Sequence, residues 1–343
     1  MTAPVTTNVA TGILTRGRDL FAPALHAAVD RLDEHTRLVT SYHLGWCDAE
    51  GRPVESNPGK AVRPGLVLLA SEAVCGSPGP GVPGAVAAEL VHNFSLVHDD
   101  LMDRDTERRH RPTVWSVWGE ATAVLVGDAM ASLAHEVLSE TESPYAQRAA
   151  RALDLAVREL IRGQVLDVAF ERRNDVRLAE CLDMAAGKTG ALLAVSAELG
   201  AILAGAAEPV AAAYRRYGAE LGLAFQLVDD LLGIWGWPER TGKPVYSDLR
   251  ARKKTMPVVW SIEYGGLAGK ELARWLEDPR EHGEPELEDA ADLVERAGGR
   301  QWATDEARAR VASAHLALQD VDIDPIRREQ LEALARFVIE RDL

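Results

Sequence analysis

Leu90-Val-His-Asn-Phe-Ser-Leu-Val-His-Asp-Asp-Leu-Met-Asp103 decides how this chain of 343 residues is read. Leu90, Val91, Phe94, Leu96 and Val97 give the stretch the pattern of an apolar helix. Asp99 and Asp103 are four residues apart, hence neighbours on one face, and His92, two turns before Asp99, falls on the same stripe. Asp100 adds a third carboxylate. Carboxylates this close repel one another, and buried charge is costly unless a cation offsets it. Mg2+ takes one or two carboxylates together with phosphate oxygens and water, so the spacing suits a Mg2+-diphosphate site. A solvated helix end is the plainer reading, and for a lone aspartate pair it is the usual one.

A dense basic run follows: Arg104, Arg108, Arg109, His110 and Arg111. It is either a solvated charge run paired with nearby aspartates or a diphosphate clamp, since guanidinium groups bind phosphate bidentately. In a chain of net charge −15, such a cluster directly after an acidic motif favours the clamp.

A second motif, Phe225-Gln-Leu-Val-Asp-Asp-Leu-Leu-Gly233, repeats the logic, with Gln226, Asp229 and Asp230 at i, i+3 and i+4. Basic residues again follow. Lys243 lies in Thr241-Gly-Lys-Pro244, and Asp248 opens Asp-Leu-Arg-Ala-Arg-Lys-Lys254, where Lys253 or Lys254 is placed to meet an anion. Taken singly, such lysines are commonly surface residues. Lys188-Thr189-Gly190 reads as a breach in a helical run. Further upstream, Asn57-Pro-Gly-Lys-Ala-Val-Arg-Pro64 leads a Gly-Lys turn into a helix start, where backbone donors favour anions. It serves equally well as a plain loop and cap, and it lacks the P-loop pattern.

Composition fits this picture. Hydrophobic residues make up 47% of the chain and aromatics only 6%, so the apolar mass is Ala, Leu and Val, which suits packed helices. The acidic balance argues against a nucleic-acid partner. Cys47, Cys75 and Cys181 form neither a disulfide framework nor a zinc pattern, in keeping with a reducing cytoplasm. The stretch Leu199 to Ala207 is too short to span a bilayer, and no membrane span is expected. Helical pattern runs over about 17–46, 61–76, 83–104, 120–140, 144–172, 178–206, 209–236, 248–264, 286–297, 301–318 and 325–341. The expectation is an all-α single domain of roughly a dozen helices over 17–343, preceded by a loose tail over 1–16.

Gly59-Lys-Ala-Val-Arg-Pro64, His92 with Asp99-Asp-Leu-Met-Asp103, Arg108-Arg109, Lys188-Thr189, and Phe225-Gln226 with Asp229-Asp230, followed by Lys243, Asp248 and Lys253, occur in one order. In that order they resemble the trans-polyprenyl diphosphate synthases of the isoprenoid-synthase fold, most of all geranylgeranyl diphosphate synthases, over about residues 17–340. The resemblance implies helices around a central cavity, a homodimer, and condensation of isopentenyl diphosphate with an allylic diphosphate. It implies three Mg2+ ions with substrate bound, held by Asp99, Asp103 and Asp229 with Asp100 and Asp230 in support. Arg108, Lys188, Lys243 and Lys253 would add positive charge at the allylic diphosphate, with Thr189 and Gln226 beside it. Lys60, Arg63, His92 and Arg109 would hold isopentenyl diphosphate.

The chain departs from the family pattern in two places. Pro58 and Ala61 stand where a glycine and an arginine are usual, so Lys60 and Arg63 carry that motif. Gly233 stands where a third aspartate is usual. If that position is dispensable, Gly233→Ala is tolerated, because Ala is the better helix former. A class I terpene cyclase fits poorly, since Gly233 and Trp237 occupy the Ser and Glu places of its second motif. A catalytically silent partner subunit is disfavoured by the intact first motif. Family members with a lone aromatic five residues before the first motif, here Phe94, and a small residue at the fourth, here Ser95, make a C20 product. Geranylgeranyl diphosphate is therefore the expected main product, with farnesyl or longer diphosphates as the alternative, and Phe94 as a core residue is the plainer local reading.

Overall fold

The computed structural model of the protein describes residues 5–54, 59–237 and 244–340. Helices carry nearly all of them. In chain order these are α1 (Val5–Val29), α2 (Glu34–His43), α3 (Val62–Cys75), α4 (Val82–Met102), α5 (Val114–Trp118), α6 (Glu120–Ser139), α7 (Ala146–Phe170) and α8 (Leu178–Ala185). A π-helical turn (Ala186–Gly190) leads into α9 (Ala191–Leu203), followed by α10 (Glu208–Trp235), α11 (Ser247–Arg250), α12 (Met256–Tyr264), α13 (Gly266–Glu277), α14 (Glu284–Ala297), α15 (Gly299–Ala317) and α16 (Pro325–Glu340). The sheet among the described residues is a two-residue ribbon, β1 (Glu107–Arg108) against β2 (Arg111–Pro112).

Several boundaries differ from the sequence expectation, each for a local reason. The N-terminal segment is helical from Val5 rather than a loose tail to residue 16, because Ala10 and Leu14 are buried. The run expected over 17–46 breaks at Asp30–Leu32, and Asp33 restarts it by accepting the backbone N–H groups of His35 and Thr36 at 3.1 Å. The run expected over 248–264 is interrupted, and α12 begins afresh with Pro257 in its first turn. Helix α13 escaped the sequence reading behind its glycines and charges, yet it buries Leu272 and Leu276 on one face.

By contacts the chain forms two compact units, Met1–Val157 with Val195–Arg215 and Val321–Leu331, and Arg158–Ala194 with Arg216–Asp320 and Glu332–Leu343. In the first unit α4 is the central helix, buried along Ala85, Val86, Leu90, Val91, Phe94 and Val97 and packed on α3 and α6. The fit against α6 is close, since a Cβ on Gly127 would lie 2.0 Å from His98 Nε2. In the second unit one core joins Phe170, Cys181, Leu227, Leu231, Met256 and Val259, and another joins Ile234, Leu249, Val258, Leu272, Leu287 and Val294. Glycines hold its helices in backbone contact. A Cβ on Gly163 of α7 would lie 2.1 Å from Lys188 N, and one on Gly222 of α10 would lie 2.6 Å from Gly190 Cα. The π turn is thus clamped at both ends.

Two helical runs, Glu120–Ser139 and Leu178–Leu203, are long and apolar enough to cross a membrane; the second is mostly buried within the protein.

Candidate active site

The first aspartate motif occupies the last turn of α4. Asp103 caps that helix, its N–H donating to the Asp99 carbonyl at 2.8 Å, and the turn holds no basic residue. The partial negative charge at a helix C-terminus disfavours carboxylates there unless a cation offsets them. Asp99 and Asp103 are half-buried, whereas Asp100 is 1% exposed. Arg108 Nε donates to Asp100 Oδ1 at 2.7 Å. Burial pushes the Asp100 carboxyl up to about 6 despite that arginine. Asp100 turns inward, and its Oδ1 anchors Arg108.

The basic run divides its tasks. Arg109 and His110 form the loop of the β1–β2 ribbon with φ of 52° and 61°, the left-handed pair that a two-residue hairpin requires. Arg108 and Arg109 are thereby presented from one tight turn. Arg111 is structural: it donates to the carbonyls of Tyr42 at 2.9 Å and Cys47 at 2.7 Å. Arg104 pairs with Glu120, and His110 is exposed.

The residues expected to hold isopentenyl diphosphate meet within the first unit. A Cβ on Gly59 would lie 2.9 Å from Arg109 Nη2, so this glycine lets the guanidinium lie on the backbone. Arg18 donates to the Gly59 carbonyl. Exposed Lys60 follows, and Arg63 Nη1 lies 3.3 Å from His92 Nε2. Arginine can only donate, so Nε2 accepts and the ring proton sits on Nδ1. Burial first, then Arg63, Arg109 and Arg108, hold His92 well below the usual imidazole range. Sequence reasoning missed Glu89, Asn93 and His43. Asn93 Nδ2 donates to Glu89 Oε1 at 3.0 Å, and burial raises Glu89 beside Arg63, Arg109 and Arg18. The available signal was a pair of polar residues at i and i+4 inside an apolar helix. Ser95 Oγ donates to the His92 carbonyl at 2.8 Å. Phe94 is 6% exposed and meets His98 edge-on, with ring centroids 5.8 Å apart.

In the second unit Asp230 is an anchor as well. It is 6% exposed, Gln226 Nε2 donates to its Oδ1 at 2.8 Å, and the Met256 N–H donates to its Oδ2 at 2.9 Å. Burial pushes it up to about 8, with Asp248 and Asp229 adding to the effect and the two hydrogen bonds opposing it. Both oxygens accept a hydrogen bond within the protein. Asp229, the other member of the pair, is exposed. Thr189 Oγ1 donates to Gln226 Oε1 at 2.5 Å, so the π turn and α10 form one hydrogen-bonded chain ending at α12. Lys188 Nζ donates to Asp167 Oδ2 at 2.6 Å. Lys253 is exposed, and Lys254 turns to the Glu171 carbonyl at 3.4 Å. Lys243 and Pro58 lie outside the described residues.

Gly233 faces the Asp248 side chain. A Cβ there would lie 2.0 Å from Asp248 Oδ2 and 2.4 Å from its Cγ. Alanine at 233 would therefore have to displace the Asp248 carboxylate.

Among the described residues no three His, Cys, Asp or Glu side chains converge on a single metal position. The donor set, accessible carboxylates in ones and twos, fits Mg2+ whose remaining ligands are diphosphate oxygens and water.

The chain matches the polyprenyl synthetase family over residues 46–294. It is 56% identical over 332 residues to a (2E,6E)-farnesyl diphosphate synthase of Mycobacterium tuberculosis, covering 96% of this chain and 92% of the relative. It is 42% identical over 331 residues to a geranylgeranyl diphosphate synthase of the same organism, covering 96% and 93%. The crystal structure of a polyprenyl synthetase from Streptomyces coelicolor, 51% identical, superposes with a TM-score of 0.93 over 96% of this chain and 99% of the other.

Proposed function

We propose that this chain, which belongs to the polyprenyl synthetase family of prenyltransferases, condenses isopentenyl diphosphate with allylic diphosphates and makes farnesyl diphosphate as its main product. The observation that carries the reaction class is the cluster in which Arg109 lies on Gly59 and Arg63 on a neutral His92, in the same unit as the carboxylates ending α4. The C15 product replaces the C20 expectation because the relative at 56% identity is named a farnesyl diphosphate synthase, whereas geranylgeranyl diphosphate synthases stand further off. Phe94, the candidate length-limiting ring, packs edge-on against His98, which helps to hold it in place.

Asp99 and Asp103 would hold Mg2+ at the end of α4, and Asp229 would do so at the second motif. When bound, those ions neutralise the allylic diphosphate and make it a better leaving group. Lys60, Arg63 and Arg109 seat the diphosphate of isopentenyl diphosphate, and His92 stays neutral so that the seat is not overcharged. The allylic C1–O bond breaks, isopentenyl C4 bonds to that carbon, and a proton leaves isopentenyl C2 for the departing diphosphate. Lys188, Gln226 and Lys253 add positive charge and oriented dipoles at the allylic substrate. The chain's task is positioning, charge stabilisation and exclusion of water.

The test is incubation of purified protein with Mg2+, isopentenyl diphosphate and each short allylic diphosphate, followed by chromatography of the dephosphorylated products. Farnesol as the main alcohol is expected. Geranylgeraniol would restore the C20 reading, a hydrocarbon would mean a cyclase, and no product a silent subunit.

A homodimer belongs to the same proposal. Leu125 of α6 is 67% exposed, with exposed Val124 beside it and Leu155 on α7. Light scattering should give twice the chain mass, and Leu125→Lys should lower it.

A further inference from the structure

Gly233 reads as a loss from the second aspartate motif, but its surroundings give it a positive role. The start of α11 is clasped onto the end of α10. Tyr246 N donates to the Ile234 carbonyl at 3.1 Å, and Ser247 Oγ donates to the Gly233 carbonyl at 3.2 Å. These contacts bring the Asp248 carboxylate so close to Gly233 that a Cβ would lie 2.0 Å from Oδ2. Asp248 is half-buried. Asp248 also receives the chain's return towards Lys253, whose N–H donates to the Asp248 carbonyl at 2.9 Å.

We infer that Gly233 is a positioning residue: by carrying no side chain it seats the Asp248 carboxylate at the end of the second aspartate motif. The third acidic group of that motif is then supplied by α11 rather than by α10. Glycine at 233 and aspartate at 248 form an exchanged pair, and a side chain at 233 competes with the Asp248 carboxylate for one place. The inference rests on the diphosphate-Mg2+ reading above and deepens it. It also reverses the helix-propensity argument, under which alanine at 233 should be harmless or stabilising.

The test uses the whole protein with Mn2+ and inorganic diphosphate as probes, reading the rise in Tm against Mn2+ concentration alongside KM and kcat for the allylic substrate. Gly233→Ala and Asp248→Asn should each raise the half-maximal Mn2+ concentration by about 10-fold, the scale of losing a supporting group around a metal site. The double variant should be no worse than either single one, because both remove the same group. Gly233→Asp should be impaired, and Gly233→Asp/Asp248→Gly should recover most of the loss by returning the carboxylate to the helix. Asp248→Asn keeps its size and the fold, so it reports even if Gly233→Ala unfolds. A wild-type Mn2+ response in either single variant, or additive losses in the double variant, overturns the inference while leaving the reaction class intact. No response in the wild-type protein overturns the metal reading and the inference with it.

Discussion

Lys188 Nζ donates to Asp167 Oδ2 at 2.6 Å, so the cation on the π turn is held by a carboxylate on α7. The pair keeps Lys188 aimed. Lys188→Met should lower turnover by about 100-fold or more, as losing a preorganised charge at the leaving group does. Asp167→Asn should cost less, since the charge remains and only its aim is loosened. Equal losses in the two variants would mean that Asp167 itself meets substrate.

Gly163 places α7 directly on Lys188. A Cβ there would lie 2.1 Å from Lys188 N and 2.8 Å from the Gly187 carbonyl carbon. Gly163→Ala must push the helices apart, at about 1–3 kcal/mol. Denaturant unfolding should show that loss, together with a fall in turnover. Full stability would show that the crossing yields without cost.

Asp99→Asn and Asp103→Asn keep size but remove a carboxylate charge at the end of α4. Each should reduce turnover by about 100-fold or more at saturating Mg2+, in line with the several kcal/mol that metal ions contribute to leaving-group charge. Near-wild-type turnover in either would sink the metal assignment. Asp100→Asn should instead act through Arg108, so its loss should appear as a raised KM.

Phe94→Ala removes a ring that is buried against His98. If this side chain limits the product, the distribution should shift beyond the wild-type length. The cavity should also cost about 3–5 kcal/mol, so product analysis is needed on protein shown to be folded. An unchanged distribution from a stable, active variant assigns length control elsewhere.

Burial first, then Arg108 and Arg109, push the His43 imidazole from its ordinary 6.5 down to about 3. Between these values the unfolded chain binds a proton that the folded chain refuses. The stability due to neutral His43 is therefore present above pH 6.5 and lost as pH falls towards 3. His43→Gln should flatten that acid loss, seen as a smaller drop in the urea midpoint between about pH 7 and about pH 4.5. A drop of the same size in both proteins would show that the imidazole titrates normally.

Spacing along the chain was enough to single out His92, Asp99 and Asp103, because i, i+4 and i, i+7 relations on a helix translate directly into shared faces, whereas Arg63 and Arg109 stood out as basic residues in a turn and a charge run. The breach at Lys188 was also legible, and it is a π turn. Anchoring was not legible. The partner of Asp230 is the N–H of Met256, twenty-six residues on, and the atom facing Gly233 belongs to Asp248, fifteen residues on. No periodicity within α10 announces either contact. The break at Asp33 was a cap signal inside a long apolar pattern, and the pattern dominated the reading. The division into two units was hidden as well, since each is assembled from three separate stretches of chain.

The π turn constrains how this protein can change over time. It fits one more residue per turn than an α-helix does, so the faces of α8 and α9 are offset by one residue, about 100° on an ideal wheel. Deleting a single residue between Ala186 and Gly190 would let the run close into continuous α-helix and rotate everything beyond it by that angle. Gly190 would turn away from Gly222, and Thr189 from Gln226. Lineages of this protein should therefore tolerate substitutions in that turn far more readily than any change in its length.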